Sequence, residues 1–167
     1  MKNTIDFFAP QCTITNISKK KFGICDAPNE GMAFVEYENE ISWVGVVLND
    51  SGKSLNFTAI DHCVEIRRKN GDLENRCDGL LSNESCLIFV ELKDQRGRWI
   101  QHAVKNQLQI TIDYFRKNHD LDGYPIRRAY VCNRAQPQFS YSHKQLMQEF
   151  YNRNGVRLYI QREIIIK

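Results

Sequence analysis

The chain predicts an α/β fold, a mixed central β-sheet flanked by α-helices, on three observations. Apolar, β-branched runs of strand length stand at 41–48, 86–90, 126–132 and 156–160. Two longer segments, 99–120 and 142–154, carry apolar residues at helical spacing. From residue 77 onward the order is strand, strand, helix, strand, helix, strand, which calls for one sheet with helices packed on it. At 167 residues the chain suits a single domain, 1–167, with a core large enough to need no staple.

Residues 1–40 are the least readable, fitting either an initial helix or an irregular lobe; the core is expected over about 41–167. After the strand at 41–48, Asn49-Asp50-Ser51-Gly52 makes a turn. The stretch 55–67 fits a helix through Phe57, Ile60 and Val64, or a strand through Cys63 to Ile66. Asn70-Gly71-Asp72 is a further turn. In the helix at 99–120, Ile100, Ala103, Val104, Leu108, Ile112 and Phe115 form one buried stripe, which Gln107 and Thr111 share. Ser142 with Gln145 resembles a capping box, Leu146, Met147, Phe150 and Tyr151 form the next stripe, and Asn154-Gly155 ends that helix. The chain closes in one long strand or two short ones.

The chemistry-bearing segment is Cys77 to Lys93, CDGLLSNESCLIFVELK. Two apolar runs joined by Ser82-Asn83-Glu84-Ser85 read as a β-hairpin. A turn centred on Asn83 and Glu84 pairs Leu81 with Cys86 and sets Asp78 opposite Phe89, diagonal to Glu91 at roughly 7–8 Å. Period 2 adds Lys93 to the face of Glu91. A one-residue slip of register would turn Asp78 away.

Two carboxylates and an ammonium gathered this way suit a hard divalent cation. Mg²⁺ or Mn²⁺ takes one or two carboxylates and leaves room for water and phosphate. Asp78 and Glu91 are the metal candidates, and Lys93 is placed to orient an attacking water and offset phosphate charge. The structural alternative is that Glu91 and Lys93 mark where a buried strand reaches solvent while Asp78 serves a turn.

A strand carrying Asp78, a strand ending in Glu91-Leu92-Lys93 and a following helix resemble the PD-(D/E)XK nuclease superfamily over roughly residues 55–135, with Cys77 where the pattern names proline. The resemblance implies a restriction-endonuclease-like core, metal ligation by Asp78 and Glu91, and a catalytic role for Lys93. It also implies a secondary role for Gln107, because some of these nucleases aim a glutamine of this helix at the site. Those lineages carry tyrosine four residues on, whereas this chain has Thr111. A further acidic ligand is open among Glu30, Glu36, Glu38, Glu40 and Asp61.

The net charge of +3 is a weak sign of a polyanion partner, and its distribution says more. Lys19-Lys20-Lys21, Arg67-Arg68-Lys69, Arg96 with Arg98, and Arg127-Arg128 are short basic clusters. Arg96 and Arg98 follow Lys93 directly in a glycine-containing loop, so these two with Arg67 and Arg68 form the expected nucleic-acid rim. Six cysteines with no Cys-x-x-Cys spacing read as buried free thiols, and only Cys63 beside His62 hints at zinc. His102, His119 and His143 read as surface residues. With no span long enough for a bilayer and no apolar leader, the expected location is cytoplasmic.

The expectation is therefore a metal-dependent nuclease, on DNA before RNA, working in a defence, mobile-element or repair system. Sequence specificity would come from a partner protein, a homodimer or nucleic-acid structure. A non-catalytic binding or assembly protein that keeps the same core is the alternative.

Overall fold

The computed structural model describes residues 4–29, 31–135 and 143–167. Its middle layer is a six-stranded mixed sheet of β1 (Thr13–Ile17), β5 (Leu55–Ala59), β6 (Gly79–Ser82), β7 (Cys86–Lys93), β8 (Ile126–Asn133) and β9 (Arg157–Ile160), side by side in that order. The first four strands are antiparallel neighbours, and β8 and β9 run parallel to β7. A second sheet has the order β10 (Glu163–Ile165), β4 (Gly45–Leu48), β2 (Lys21–Cys25) and β3 (Phe34–Glu36).

The mixed sheet is as predicted, but helices flank only one of its faces. Leu80, Leu87, Phe89, Ala129, Val131 and Leu158 point toward helix α1 (Gln109–Asn118), the turns leading into it and helix α2 (Lys144–Asn154). On the opposite side Leu81, Ile88, Val90, Leu92, Tyr130 and Cys132 pack with Phe22, Ile24, Val47 and Ile164 of the second sheet. Both faces of β7 are thus buried, and so its sequence is continuously apolar rather than alternating. The region 1–40, expected as a helix or irregular lobe, supplies β1, β2 and β3 instead. Short strands such as Thr13–Ile17, with three of five residues exposed, carry too little apolar periodicity to announce themselves.

The stretch left open at 55–67 resolves into β5 and a tight turn, with Val64 N–H bonding Ile60 C=O at 2.8 Å. The chain end forms two short strands in different sheets, β9 beside β8 and β10 beside β4. Ser142 of the expected capping box lies outside the described residues; α2 itself ends as predicted at Gly155, in the left-handed conformation at φ 66°.

The predicted helix stripe holds: Ala103, Val104, Leu108, Ile112 and Phe115 are all buried, each of the larger ones worth about 1.5–3 kcal/mol. The first half of that helix, His102–Leu108, is wound as a π-helix before α1 continues it. His119 is half-buried: its Nε2 accepts the Phe7 N–H at 3.1 Å and its ring sits among Phe7, Phe8 and Phe115.

Two cysteines depart from the free-thiol expectation. Cys12 and Cys63 form a disulfide across 51 residues, tying the turn after β5 to the segment before β1, while Cys25, Cys77, Cys86 and Cys132 are free and buried. A pairing between such distant positions has no local signature.

Candidate active site

The hairpin that carries the acids is set by one side chain. Asn83 Oδ1 accepts the N–H groups of Ser85 and Cys86, both at 2.9 Å, and the Asn83 N–H bonds Cys86 C=O at 3.0 Å. This Asx turn centres the reversal on Glu84 and Ser85, one position later than Asn83 and Glu84. Partners shift by two: Leu81 faces Ile88 rather than Cys86, and Gly79 faces Val90. A shift of two preserves the face of every side chain. Asp78 thereby comes directly opposite Glu91 instead of diagonal to it, on the helix-covered face.

Asp78, Glu91 and Lys93 do meet. Glu91 is 1 % exposed and Asp78 8 % exposed. The Leu92 N–H donates to Asp78 Oδ2 at 2.7 Å, and Lys93 Nζ lies 3.8 Å from Glu91 Oε1. Glu91 Oε2 is buried with no hydrogen-bond partner among the described residues. Burial raises the pKa of Asp78 to about 6 against the hydrogen bonds from Glu91 and Leu92, with the charges of Asp26 and Asp61 adding to the rise. Burial, then the charge and hydrogen bond of Asp78, push Glu91 well above the carboxylate range, and Lys93 offsets this only in part. Both acids are thus biased toward their neutral forms. The pocket is short of positive charge.

Of the further acids, Asp61 reaches the site. Its N–H bonds Cys77 C=O at 3.2 Å, one residue from Asp78, and Arg76 Nη2 holds its carboxylate at 3.0 Å. Glu36 is taken by the Trp43 indole and by the N–H groups of Glu38 and Asn39, and Glu40 pairs with Lys21 at 3.3 Å. Glu38 is exposed, and Glu30 lies outside the described residues.

Sequence reasoning missed Asp26, which follows β2. Solvent reaches its side chain, yet desolvation and then the charge of Asp61 raise its pKa, opposed by His62 and Lys93. His62 was passed over as a ligand hint; it sits at φ 65°, rare for a residue with a Cβ, and its Nε2 lies 3.4 Å from Asp61 Oδ2. Both arrive from segments distant in sequence, and no local pattern marks them.

Gln107 lies in the π-helical segment, a distortion frequent at functional sites. The Thr111 hydroxyl donates to Gln107 C=O at 2.7 Å and accepts the Cys77 N–H at 2.8 Å, fastening the helix to the residue before Asp78. Gln107 Oε1 is buried without a hydrogen-bond partner among the described residues. The neighbouring Gln109 is by contrast satisfied, in a reciprocal amide pair with Asn154 at 2.7 and 2.8 Å.

Arg96 and Arg98 are exposed in the loop leaving Lys93, and neither forms an ion pair among the described residues. Asn133, opposite Lys93, anchors this loop by donating to Gln95 C=O at 2.7 Å, and Arg134 N–H bonds Lys93 C=O at 3.0 Å. Arg67 and Arg68 sit apart on their own small loop, bound to Glu65 and Glu74.

Among the described residues no group of three His, Cys, Asp or Glu side chains is placed to hold a metal as the side chains stand. The donors nonetheless fit a hard cation: two buried carboxyls with only Lys93 for countercharge, and one Glu91 oxygen without a hydrogen-bond partner among the described residues. Family models, curated proteins and solved structures were all searched, and none matches this chain.

Proposed function

We propose that this chain is a metal-dependent phosphodiesterase, a nuclease acting on DNA in preference to RNA. The observation that carries the reading is the face-to-face burial of Asp78 and Glu91 with Lys93 at 3.8 Å and Glu91 Oε2 left unpartnered. Two buried acids with only one lysine for countercharge are costly, and such perturbed pairs cluster at functional sites. The antiparallel run β5–β6–β7, followed by a helix that crosses to a parallel β8, supports the restriction-endonuclease-like core that the resemblance implies.

Asp78 and Glu91 would hold Mg²⁺ or Mn²⁺, which supplies Lewis acidity toward phosphate and makes a water acidic at neutral pH. Lys93 would orient the attacking water and balance charge on the phosphate. Gln107 offers its free Oε1 as an acceptor near the start of β6. Arg96 and Arg98 hold the backbone on the side where Lys93 leaves its strand, and Arg67 and Arg68 would join them only by giving up local carboxylates. A partner protein or a second copy would supply specificity. A cytoplasmic site of action goes with this reading, and there the Cys12–Cys63 bond would meet a reducing pool.

The test is cleavage of single- and double-stranded DNA and RNA by the purified chain with Mg²⁺ or Mn²⁺, beside Asp78→Ala and Lys93→Ala. Undiminished activity in both variants ends the assignment. A second reading, a non-catalytic protein with a nuclease-like core, is favoured by one observation: Asp78 and Glu91 are hydrogen-bonded directly to each other. It requires that calorimetry detect no Mn²⁺ binding.

A further inference from the structure

We propose that the outer edge of the six-stranded sheet, where β9 meets α2, is a contact for single-stranded nucleic acid. It extends the nuclease reading by naming the form of the bound strand, and it involves none of the residues of the acid site.

Most arginines of this chain are neutralised in place. Arg67, Arg68, Arg76, Arg134 and Arg153 each have a carboxylate, and Arg116 and Arg127 share Asp122. Arg162 donates to the carbonyls of Val44 and Trp43. Apart from Arg96 and Arg98 in the loop after Lys93, and Arg162 on its two carbonyls, Arg128 and Arg157 stand without a carboxylate among the described residues. They are paired neighbours on β8 and β9, so two uncompensated cations sit side by side.

Aromatic faces hold these cations. The Arg157 guanidinium lies 4.8 Å from the Tyr151 ring centre, and that of Arg128 lies 5.7 Å from Tyr159. Tyr159 in turn stacks on Tyr130, with ring centres 4.8 Å apart. The Arg128 fork is anchored through Nη1 to Ile165 C=O at 2.9 Å. Both arginines are thereby pre-ordered, which lowers the entropy lost when a ligand binds.

The Tyr151–Arg157 stack is the ridge between two adjoining hollows of about 440 and 180 Å³, the first also lined by Tyr159 and the second by Arg127 and Arg128. Tyr151 is 40 % exposed and Arg157 is exposed. Cations take phosphates, and the exposed Tyr151 ring offers apolar area on which a base can stack. A duplex keeps its base faces stacked inside and offers only edges and phosphates, so a groove of this kind selects a single strand.

The experiment is anisotropy of a labelled oligothymidylate and of a duplex of equal length, titrated with the full chain in EDTA at several salt concentrations. The single strand is expected to bind at least about tenfold tighter than the duplex. Arg157→Ala and Arg128→Ala should each weaken binding and flatten the slope of log K against log salt by about 0.7. Tyr151→Ala should cost about tenfold with the slope unchanged, and Tyr159→Leu, which removes the ring that holds Arg128, should also weaken binding. Equal affinity for duplex, equal affinity for an acidic polypeptide, or indifference to both arginines and Tyr151 overturns the proposal. Binding in EDTA without cleavage in Mn²⁺ would sink the nuclease reading and leave this contact standing; cleavage with affinity unaffected by these variants would do the reverse.

Discussion

Asp78 and Glu91 face one another at the end of the β6–β7 ladder, hydrogen-bonded to each other, with Lys93 as the single lysine for countercharge. Neither acid is exposed enough for water to screen it, so the pair responds to pH, to cations and to substitution in ways that can be measured.

A divalent cation should stabilise the folded chain. With Mn²⁺ a hundredfold above its dissociation constant, linkage gives about 2.7 kcal/mol, a rise of about 5–11 °C in Tm for a chain of this size. Asp78→Asn and Glu91→Gln should abolish the rise, while Lys93→Ala retains it and loses cleavage. Differential scanning fluorimetry with and without Mn²⁺ reads all three; an equal rise in the Glu91 variant would remove that residue from the metal site.

Without metal, Asp78 should weaken the fold as pH rises. Its folded pKa of about 6 lies above the ordinary 3.8, so its neutral form stabilises fully below about pH 4 and that contribution is lost as pH climbs through 6. Asp78→Asn escapes the loss. It should be more stable than the parent at pH 8 by up to about 3 kcal/mol and close to it at pH 4. Urea unfolding at the two pH values decides, and a variant that is weaker at pH 8 would mean the carboxylate is a stabilised anion. Metal affinity should follow the opposite course and increase through pH 6, because the cation binds the deprotonated pair.

Arg76 should prove structural. Its side chain is 7 % exposed, bonded to Val64 C=O at 2.9 Å and to Asp61 at 3.0 Å, and its Nε has no partner among the described residues. Arg76→Ala should cost about 2–4 kcal/mol, because it strands a half-buried Asp61. Adding Asp61→Asn should recover part of that loss in a double-mutant cycle. Strict additivity of the two changes would show that the pair is not coupled.

The Cys12–Cys63 bond should be worth about 4 kcal/mol on the chain-entropy estimate for a loop of 51 residues. Denaturant melts of the chain with and without reductant, and of Cys63→Ser, give the value. Alkylation of the unfolded, unreduced chain should label four thiols, Cys25, Cys77, Cys86 and Cys132. Labelling of all six would show the pair reduced.

The separation between what could and could not be read beforehand follows the range of the forces involved. The face shared by Asp78, Glu91 and Lys93 was legible, because strand alternation is local and survived a two-residue change of partner. The helix stripe through Leu108, Ile112 and Phe115 was legible for the same reason. The turn centre was misjudged by one position because the Asn83 side chain, not the backbone alone, sets it.

Tertiary structure alone decided the rest. It formed β1, β2 and β3 within the unpromising region before residue 40, covered one sheet face with a second sheet, and joined Cys12 to Cys63. It also brought Asp26, Asp61 and His62 to the acids and left Arg128 and Arg157 uncompensated on aromatic rings. Periodicity within a segment is written in neighbouring residues; which distant segments meet depends on how the whole chain buries its apolar surface, and no short window of sequence contains that.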